Sequence, residues 1–213
     1  MRPAVAGVAL GLALAVGVPT TWALTRPPAA AGAPVEQVLS APAPSSAPPA
    51  PGVPVRDAAP PPLPDVVPPV RLEVPALGVD APLERAGVRP DGQMELPDDV
   101  GRAGWYRFGP APGAPGSAVL AGHVDDAEQG LGALAPLREA APGQEVLVTD
   151  AAGATTRWRV VSRELLDKQA LPVDLLFGRE GPPRLTLVTC GGPFLPDVGG
   201  YRDNVVVVAE PAP

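Results

Sequence analysis

One cysteine and one histidine occur in this 213-residue chain, Cys190 and His123. Cys190 ends the apolar, β-prone run "RLTLVTC" and is followed at once by two glycines. His123 stands in "AVLAGHVDD", one glycine beyond a second apolar run. A cysteine kept for packing belongs inside such a run, where its small apolar side chain is useful. At the tip of a strand it can be reached by a substrate. A thiolate is the nucleophilic form, and it needs a base nearby, for which an imidazole is suited. If the two strands are neighbours running in suitable directions, both side chains project from one rim.

Attack of a thiolate on an acyl group creates a tetrahedral oxyanion, which a fixed cation or paired donors stabilise. Arg202, in "GGYRDNVVVVA" and twelve residues after Cys190, is a candidate because a guanidinium stays charged and presents its donors as a rigid fork. The plainer alternatives are an inert buried cysteine, a structural histidine and a solvated loop arginine. A Cys-His-His peptidase would need a second histidine. One His and one Cys make no typical zinc site. Asp125, Asp126 and Glu128 read as a solvated loop, so neither a metal nor a cofactor is expected.

Short β-type runs separated by Gly and Pro must position these groups. The pattern predicts strands near Val70 to Val74, Ala118 to Ala121, Glu145 to Thr149, Thr156 to Arg163, Leu185 to Thr189 and Val205 to Ala209. Turn signals stand at "RPDGQ", "PGAPGS" and "DAAGA". One short helical patch is predicted around Leu131 to Glu139. Many short strands with little helix indicate a mainly β fold, a sandwich or a closed barrel. "AVLA" and "VVVVA" are apolar throughout, as strands covered on both faces are.

Composition divides the chain into three parts. Residues 1–26 begin with Arg2 and run without charge from Ala4 to Leu24, long enough to span a bilayer as a helix. They read as a membrane anchor, or else as a signal segment, and both place the rest of the chain outside the cell. Residues 27–69 hold 15 of the 33 prolines, mixed with Ala, Ser and Gly. That stretch has too little bulky apolar material to offset the entropy of ordering, so a disordered tether is expected. Residues 70–213 are a usual size for one compact domain. The net charge of −7 argues against nucleic acid as a partner, because phosphate binding needs a basic face. A single cysteine cannot form an internal disulfide, and in an exported protein it points to a reactive site or intermolecular pairing.

"TLVTC" matches the T-L-x-T-C signature of sortases, the cell-wall transpeptidases of Gram-positive bacteria, and the chain resembles that family over most of its folded part. The resemblance also rests on "VPALGVDAPLERAGVRPDGQMELPDD", "GWYRFGPAPGAPGSAVLAGHVD" and "YRDNVVVVA", in that order. The Gly-Gly after the cysteine and the final motif look most like the class E/F sortases of actinobacteria. The resemblance implies an eight-stranded closed β-barrel with short helices and a Cys-His-Arg site without cofactor. It implies a substrate bearing an L-P-x-T-G-like sorting signal, cut between Thr and Gly, held as a thioester and released to an amine of peptidoglycan or a pilin. Carried over by motif, Cys190 is the nucleophile, His123 the acid/base group and Arg202 the arginine, with Thr189, Gly191 and Asn204 along the substrate. In many sortases the arginine stands closer to the last apolar strand. Here Asp203 and Asn204 intervene, so a bulge absorbs the difference or Asn204 shares the oxyanion role. Arg184 is a weaker candidate, at the far end of the cysteine's own strand. The partners implied are secreted proteins with a C-terminal sorting signal, the amine acceptor and the membrane. A thiol endopeptidase using water, or a non-catalytic wall-binding barrel, are the alternative readings.

Overall fold

A computed structural model describes residues 28–40 and 66–213. The anchor expected over 1–26 and most of the tether lie outside the described residues. Among the described residues no helix is long and apolar enough to cross a membrane.

Among the described residues eleven strands are formed: β1 (Ala30–Gly32), β2 (Pro69–Val74), β3 (Val79–Ala86), β4 (Ala103–Tyr106), β5 (Ser117–Ala121), β6 (Asp125–Asp126), β7 (Gly130–Leu131), β8 (Glu145–Asp150), β9 (Thr155–Asp167), β10 (Arg184–Leu195) and β11 (Gly200–Pro211). Two short helices, α1 (Val35–Leu39) and α2 (Val173–Leu176), accompany them. Eight strands run in the order β9-β11-β10-β5-β4-β3-β2-β8, and β8 pairs back onto β9. The sheet therefore closes into an eight-stranded barrel, which leaves it no long open edge. β3 with β4 and β5 with β10 are parallel pairs; the other barrel neighbours are antiparallel.

The barrel is filled by alternate residues of its strands, as the two-residue period of β structure requires. Leu72, Val74, Trp105, Leu120, Val146, Trp158, Leu187 and Val207 meet inside, with Leu134 and Leu137 closing one end. On β11 the two faces separate cleanly. Val205, Val207 and Ala209 join the interior, while Val206 and Val208 form a second cluster with Val35, Val38 and Leu176 from α1 and α2. That outer cover is why "VVVVA" is apolar at every position.

Two of the eight barrel strands escaped the sequence reading, as did the short β1, β6 and β7. β3, "VDAPLERA", alternates well, but Pro82 interrupts it; the proline stands on the exposed face, opposite Arg71. β4 is only four residues long and carries Gly104, where a Cβ would come within 2.8 Å of the Ala86 side chain. The helical patch expected over Leu131 to Glu139 is instead a single 3-10 turn, Ala135–Glu139. Its first residues are taken by the β6–β7 hairpin and by Gly132, whose α-carbon lies so close to the His123 carbonyl oxygen that a Cβ would fall 2.2 Å from it.

The larger departure concerns the tether. Its stretch from Pro28 to Ser40 is packed on the barrel, and Val35 is wholly buried. β1 pairs with Ser162–Glu164 of β9, on the edge where β8 has ended at Arg159. Arg163, buried here, donates to the carbonyl oxygens of Ala140 at 2.7 Å and Pro28 at 2.8 Å. The stretch is proline- and alanine-rich on average, yet "VEQVL" places two valines three residues apart, enough for one turn of helix to cover Val206 and Val208.

Candidate active site

β5 and β10 lie side by side and parallel, with Leu185 opposite Ala118, Leu187 opposite Leu120 and Val188 opposite Ala121. Continuing that register by two residues brings His123 level with Cys190. Two hydrogen bonds carry the pairing past the end of β5. The Gly122 N–H donates to the Val188 carbonyl at 3.1 Å, and the buried Thr189 hydroxyl donates to the Gly122 carbonyl at 2.9 Å. Adjacent strands stand about 4.8 Å apart, so the extended register directs the chain after β5 toward Cys190.

On its other side β10 pairs with β11, and Cys190 lies directly opposite Asn204. Thr189 points into the barrel with Leu187 and Leu185; Cys190 takes the other face with Val188. Cross-strand partners share a face, so Asn204 stands on the Cys190 side. The order across three strands is His123, Cys190, Asn204. Cys190 is a free, half-buried thiol, and His123 and Asn204 are half-buried too.

Beside Cys190 a cavity of about 250 Å³ opens, walled by Asp125, Leu165, Tyr201, Gly191 and, from the N-terminal segment, Pro28 and Ala29. The "PFLPDVGGYR" stretch forms the tip of the β10–β11 hairpin, with Phe194 paired to Tyr201 and their rings edge to face at 5.4 Å. Tyr201 donates its hydroxyl to the Asp125 carboxylate in the stretch after His123. That bond, then burial, raises the phenol above its ordinary range. Asp126 accepts the backbone N–H groups of Glu128 at 2.8 Å and Gln129 at 3.0 Å, which hold its carboxyl below the usual value. Of the three carboxylates read as a solvated loop, Asp125 lines the cavity, while Asp126 and Glu128 are exposed. Among the described residues no group of three or more His, Cys, Asp or Glu side chains could hold a metal ion.

Arg202 stands two residues before Asn204 on β11 and is engaged elsewhere. Its Nε and Nη2 donate to the Asp203 carboxylate at 2.7 and 2.9 Å. The arginine side chain is 52% exposed and the aspartate 4%. Hydrogen bonding to Arg202 keeps the Asp203 carboxyl below its ordinary range against the opposing effect of burial. Asp203 in turn packs on Gly192, where a Cβ would fall 2.1 Å from its Oδ2. Arg184 pairs with Glu210 at 3.1 Å, six residues and roughly 20 Å along β10 from Cys190, and takes no part in the site. Sequence reading passed over Tyr201, Asp125 and Asp203. The one signal was their crowding: "HVDD" after the histidine and "YRD" before the last strand both flank the candidate residues.

The Sortase domain family model matches residues 72–212. Among solved structures, sortase A of Listeria monocytogenes is 21% identical, with 70% of this chain and 89% of that one covered at a TM-score of 0.52. Sortase A of Corynebacterium diphtheriae is 16% identical, covering 67% and 60% at a TM-score of 0.52. Sortase C-1 of Actinomyces oris is 20% identical, covering 67% and 73% at a TM-score of 0.51. At these identities the likeness is one of fold. No curated protein matches the chain in sequence.

Proposed function

The chain belongs to the sortase family, and from that premise we propose that it is a cysteine transpeptidase of the class E/F kind. It cleaves an L-P-x-T-G-like sorting signal between Thr and Gly and passes the acyl group to an amine of peptidoglycan or a pilin. The observation that carries this reading is the parallel β5–β10 pairing, with Ala121 opposite Val188 and the Thr189 hydroxyl tied to the Gly122 carbonyl, just before Cys190 and His123.

The Cys190 thiolate attacks the scissile carbonyl carbon, and the C–N bond breaks as His123, in its imidazolium form, protonates the leaving glycine amine. A thioester on Cys190 remains. An incoming amine then attacks it, His123 accepts the amine's proton, and the thiolate leaves with a new amide formed. Thr189 acts through Gly122, holding the two strand ends together, and Gly191 lets the substrate backbone pass close to the thiol. Residues 1–26 anchor the protein in the cell membrane, and the barrel works on the outer side, where secreted substrates emerge.

Intact-mass spectrometry of the full chain with an L-P-x-T-G peptide tests the proposal, run with and without an amine acceptor beside Cys190→Ala. An acyl adduct on Cys190 that becomes an amide product when amine is added is the expected result. An adduct yielding only free acid would make the protein a thiol endopeptidase. No adduct with any sorting-signal variant would leave a non-catalytic barrel.

A further inference from the structure

The N-terminal segment joins the barrel at its Cys190 end, beside a rim of exposed apolar side chains, and we infer that this rim rests in the headgroup layer of the membrane. The inference rests on the reading of residues 1–26 as the anchor and adds how the barrel is turned on it.

The strand register gives the direction of the segment. Ala30 lies opposite Glu164, Glu164 opposite Val206 and Val206 opposite Val188. Two residues on, Gly32 lies opposite Ser162, Ser162 opposite Val208 and Val208 opposite Thr186. The segment therefore runs away from Cys190, and Pro28 and Ala29 at its start wall the same cavity as the thiol. Both are held there. The Leu165 N–H donates to the Ala29 carbonyl at 2.9 Å, and the Arg163 guanidinium donates to the Pro28 carbonyl at 2.8 Å.

Chain geometry bounds the distance from there to the bilayer. Four residues of extended chain span at most about 14 Å, so Pro28 stands no farther than that from Leu24, where the apolar run ends. The interfacial layer on each side of a bilayer is itself about 5–7 Å thick. The long reach expected of residues 27–69 is thus not available between anchor and barrel, because the chain is already fixed at Pro28.

The rim at that end is apolar. Leu131, on β7 and in the cavity wall, is 71% exposed, and Val198, at the tip of the β10–β11 hairpin, is 73% exposed. Phe194 and Leu195 stand exposed on the same hairpin, which the Tyr201–Asp125 bond ties to the β6–β7 side. From Pro193 to Gly200 only Asp197 carries a charge. Exposed apolar side chains gathered in one place mark a surface that meets something other than water. The bilayer is the apolar phase that the short link places within reach, and apolar faces held at its surface settle about 5–10 Å into the boundary between headgroups and acyl chains. The contact is apolar rather than ionic, since a net charge of −7 gives anionic lipid no attraction. Cys190 then works at the membrane surface, not at the end of a long tether.

The test uses the full chain in phosphatidylcholine vesicles, with Cys190→Ala and one new cysteine carrying a fluorophore. Val198→Cys and Leu131→Cys sample the rim. Glu180→Cys, exposed in the loop before β10, samples the other end. A lipid carrying a quencher on its acyl chain near the headgroup should remove most of the signal from Val198→Cys and Leu131→Cys, and little from Glu180→Cys. An alkaline carbonate wash, which strips proteins that do not span the bilayer, tests the anchor separately. Equal, weak quenching at all three positions in a chain that survives the wash would leave the anchor standing and overturn the inference. Rim labels that lipid does not reach but an L-P-x-T-G peptide shields would give the patch to the substrate, and overturn it too. Quenching at the rim in a chain that the wash removes would uphold the rim contact and overturn the anchor.

Discussion

The hydroxyl of Thr189 donates to the carbonyl oxygen of Gly122 across 2.9 Å, so the residue before Cys190 is tied to the residue before His123. The bond is buried and joins the two strand ends at the point where β5 has stopped pairing. Thr189→Val keeps the shape and removes the donor, leaving a buried carbonyl short of a partner at a cost of about 1–3 kcal/mol. Thermal denaturation should show that loss, and acylation of Cys190 should fall further than the stability alone explains, because His123 is no longer held level with the thiol. Thr189→Ser, which restores the hydroxyl, should recover most of both. Equal acylation rates for the Val and Ser variants would sink this account.

The Tyr201–Asp125 bond joins the β10–β11 hairpin tip to the stretch after His123. Hydrogen bonds to a charged acceptor contribute about 1.5–3 kcal/mol, less where water competes. Tyr201→Phe should therefore speed amide hydrogen exchange over Val124 to Leu131 by roughly tenfold and raise KM for peptide more than it lowers kcat. Exchange that stays at the parent rate would show that the two segments are held in place independently of this bond.

Removing the N-terminal segment tests its place in the fold. A chain starting at Val66 lacks β1 and α1, exposes Val206 and Val208, and takes one acceptor from the buried Arg163. Burying Val35 and Val38 contributes at most about 3–6 kcal/mol together. At about 2–4 °C per kcal/mol for a domain of this size, the melting temperature should drop on the order of 10 °C against a chain starting at Pro28. Matching melting temperatures would make the segment a passive cover.

Acid should weaken the Arg202–Asp203 pair in a defined direction. The carboxyl is held below its ordinary value by the hydrogen bond and then by the charge of Arg202. A depressed carboxyl contributes stability above its unfolded value near 3.9, and that contribution is lost as pH falls through the folded value. In Arg202→Ala, burial acts on Asp203 against only the weaker pull of the Lys168 charge, and the contribution reverses sign. The melting-temperature gap between parent and variant should be widest above about pH 5 and close toward pH 3. A gap constant with pH would mean that Asp203 is not what Arg202 stabilises.

Cys190 and His123 stood out as candidates because each follows an apolar run that is a barrel strand, and strand ends are where a β fold exposes chemistry. The two-faced burial of β11 was legible for a similar reason, four consecutive valines. What stayed hidden depends on register. Nothing local in "YRDN" says which of its residues faces Cys190, since one bulge more or less moves every side chain to the other face. The pairing with β10, which shifts between Gly191 and Phe194, decides it in favour of Asn204. Pro82 masked β3 because a proline usually marks a strand's end. The packed segment at Pro28 to Ser40 was masked by its neighbours, as composition averaged over 27–69 hides one turn of helix with two well-placed valines.

Gly192 gives the sharpest single-residue test of how the turn after Cys190 is built. Its φ is +73°, in the left-handed region that favours glycine, and an added Cβ would lie 2.1 Å from Asp203 Oδ2 and 2.7 Å from its Cγ. Gly192→Ala thus carries a backbone penalty of roughly 1–2 kcal/mol and a collision with a carboxylate that cannot yield without breaking its bonds to Arg202. The two costs are separable. Asp203→Ala removes the collision but not the backbone strain, so the double variant should lose less than the two single losses added. The coupling should be on the order of 1 kcal/mol, as for residues in direct contact. Melting of the four proteins measures it. Strict additivity would mean that the turn has shifted away from Asp203, and the chain of support from Arg202 toward Cys190 would then end at Asp203.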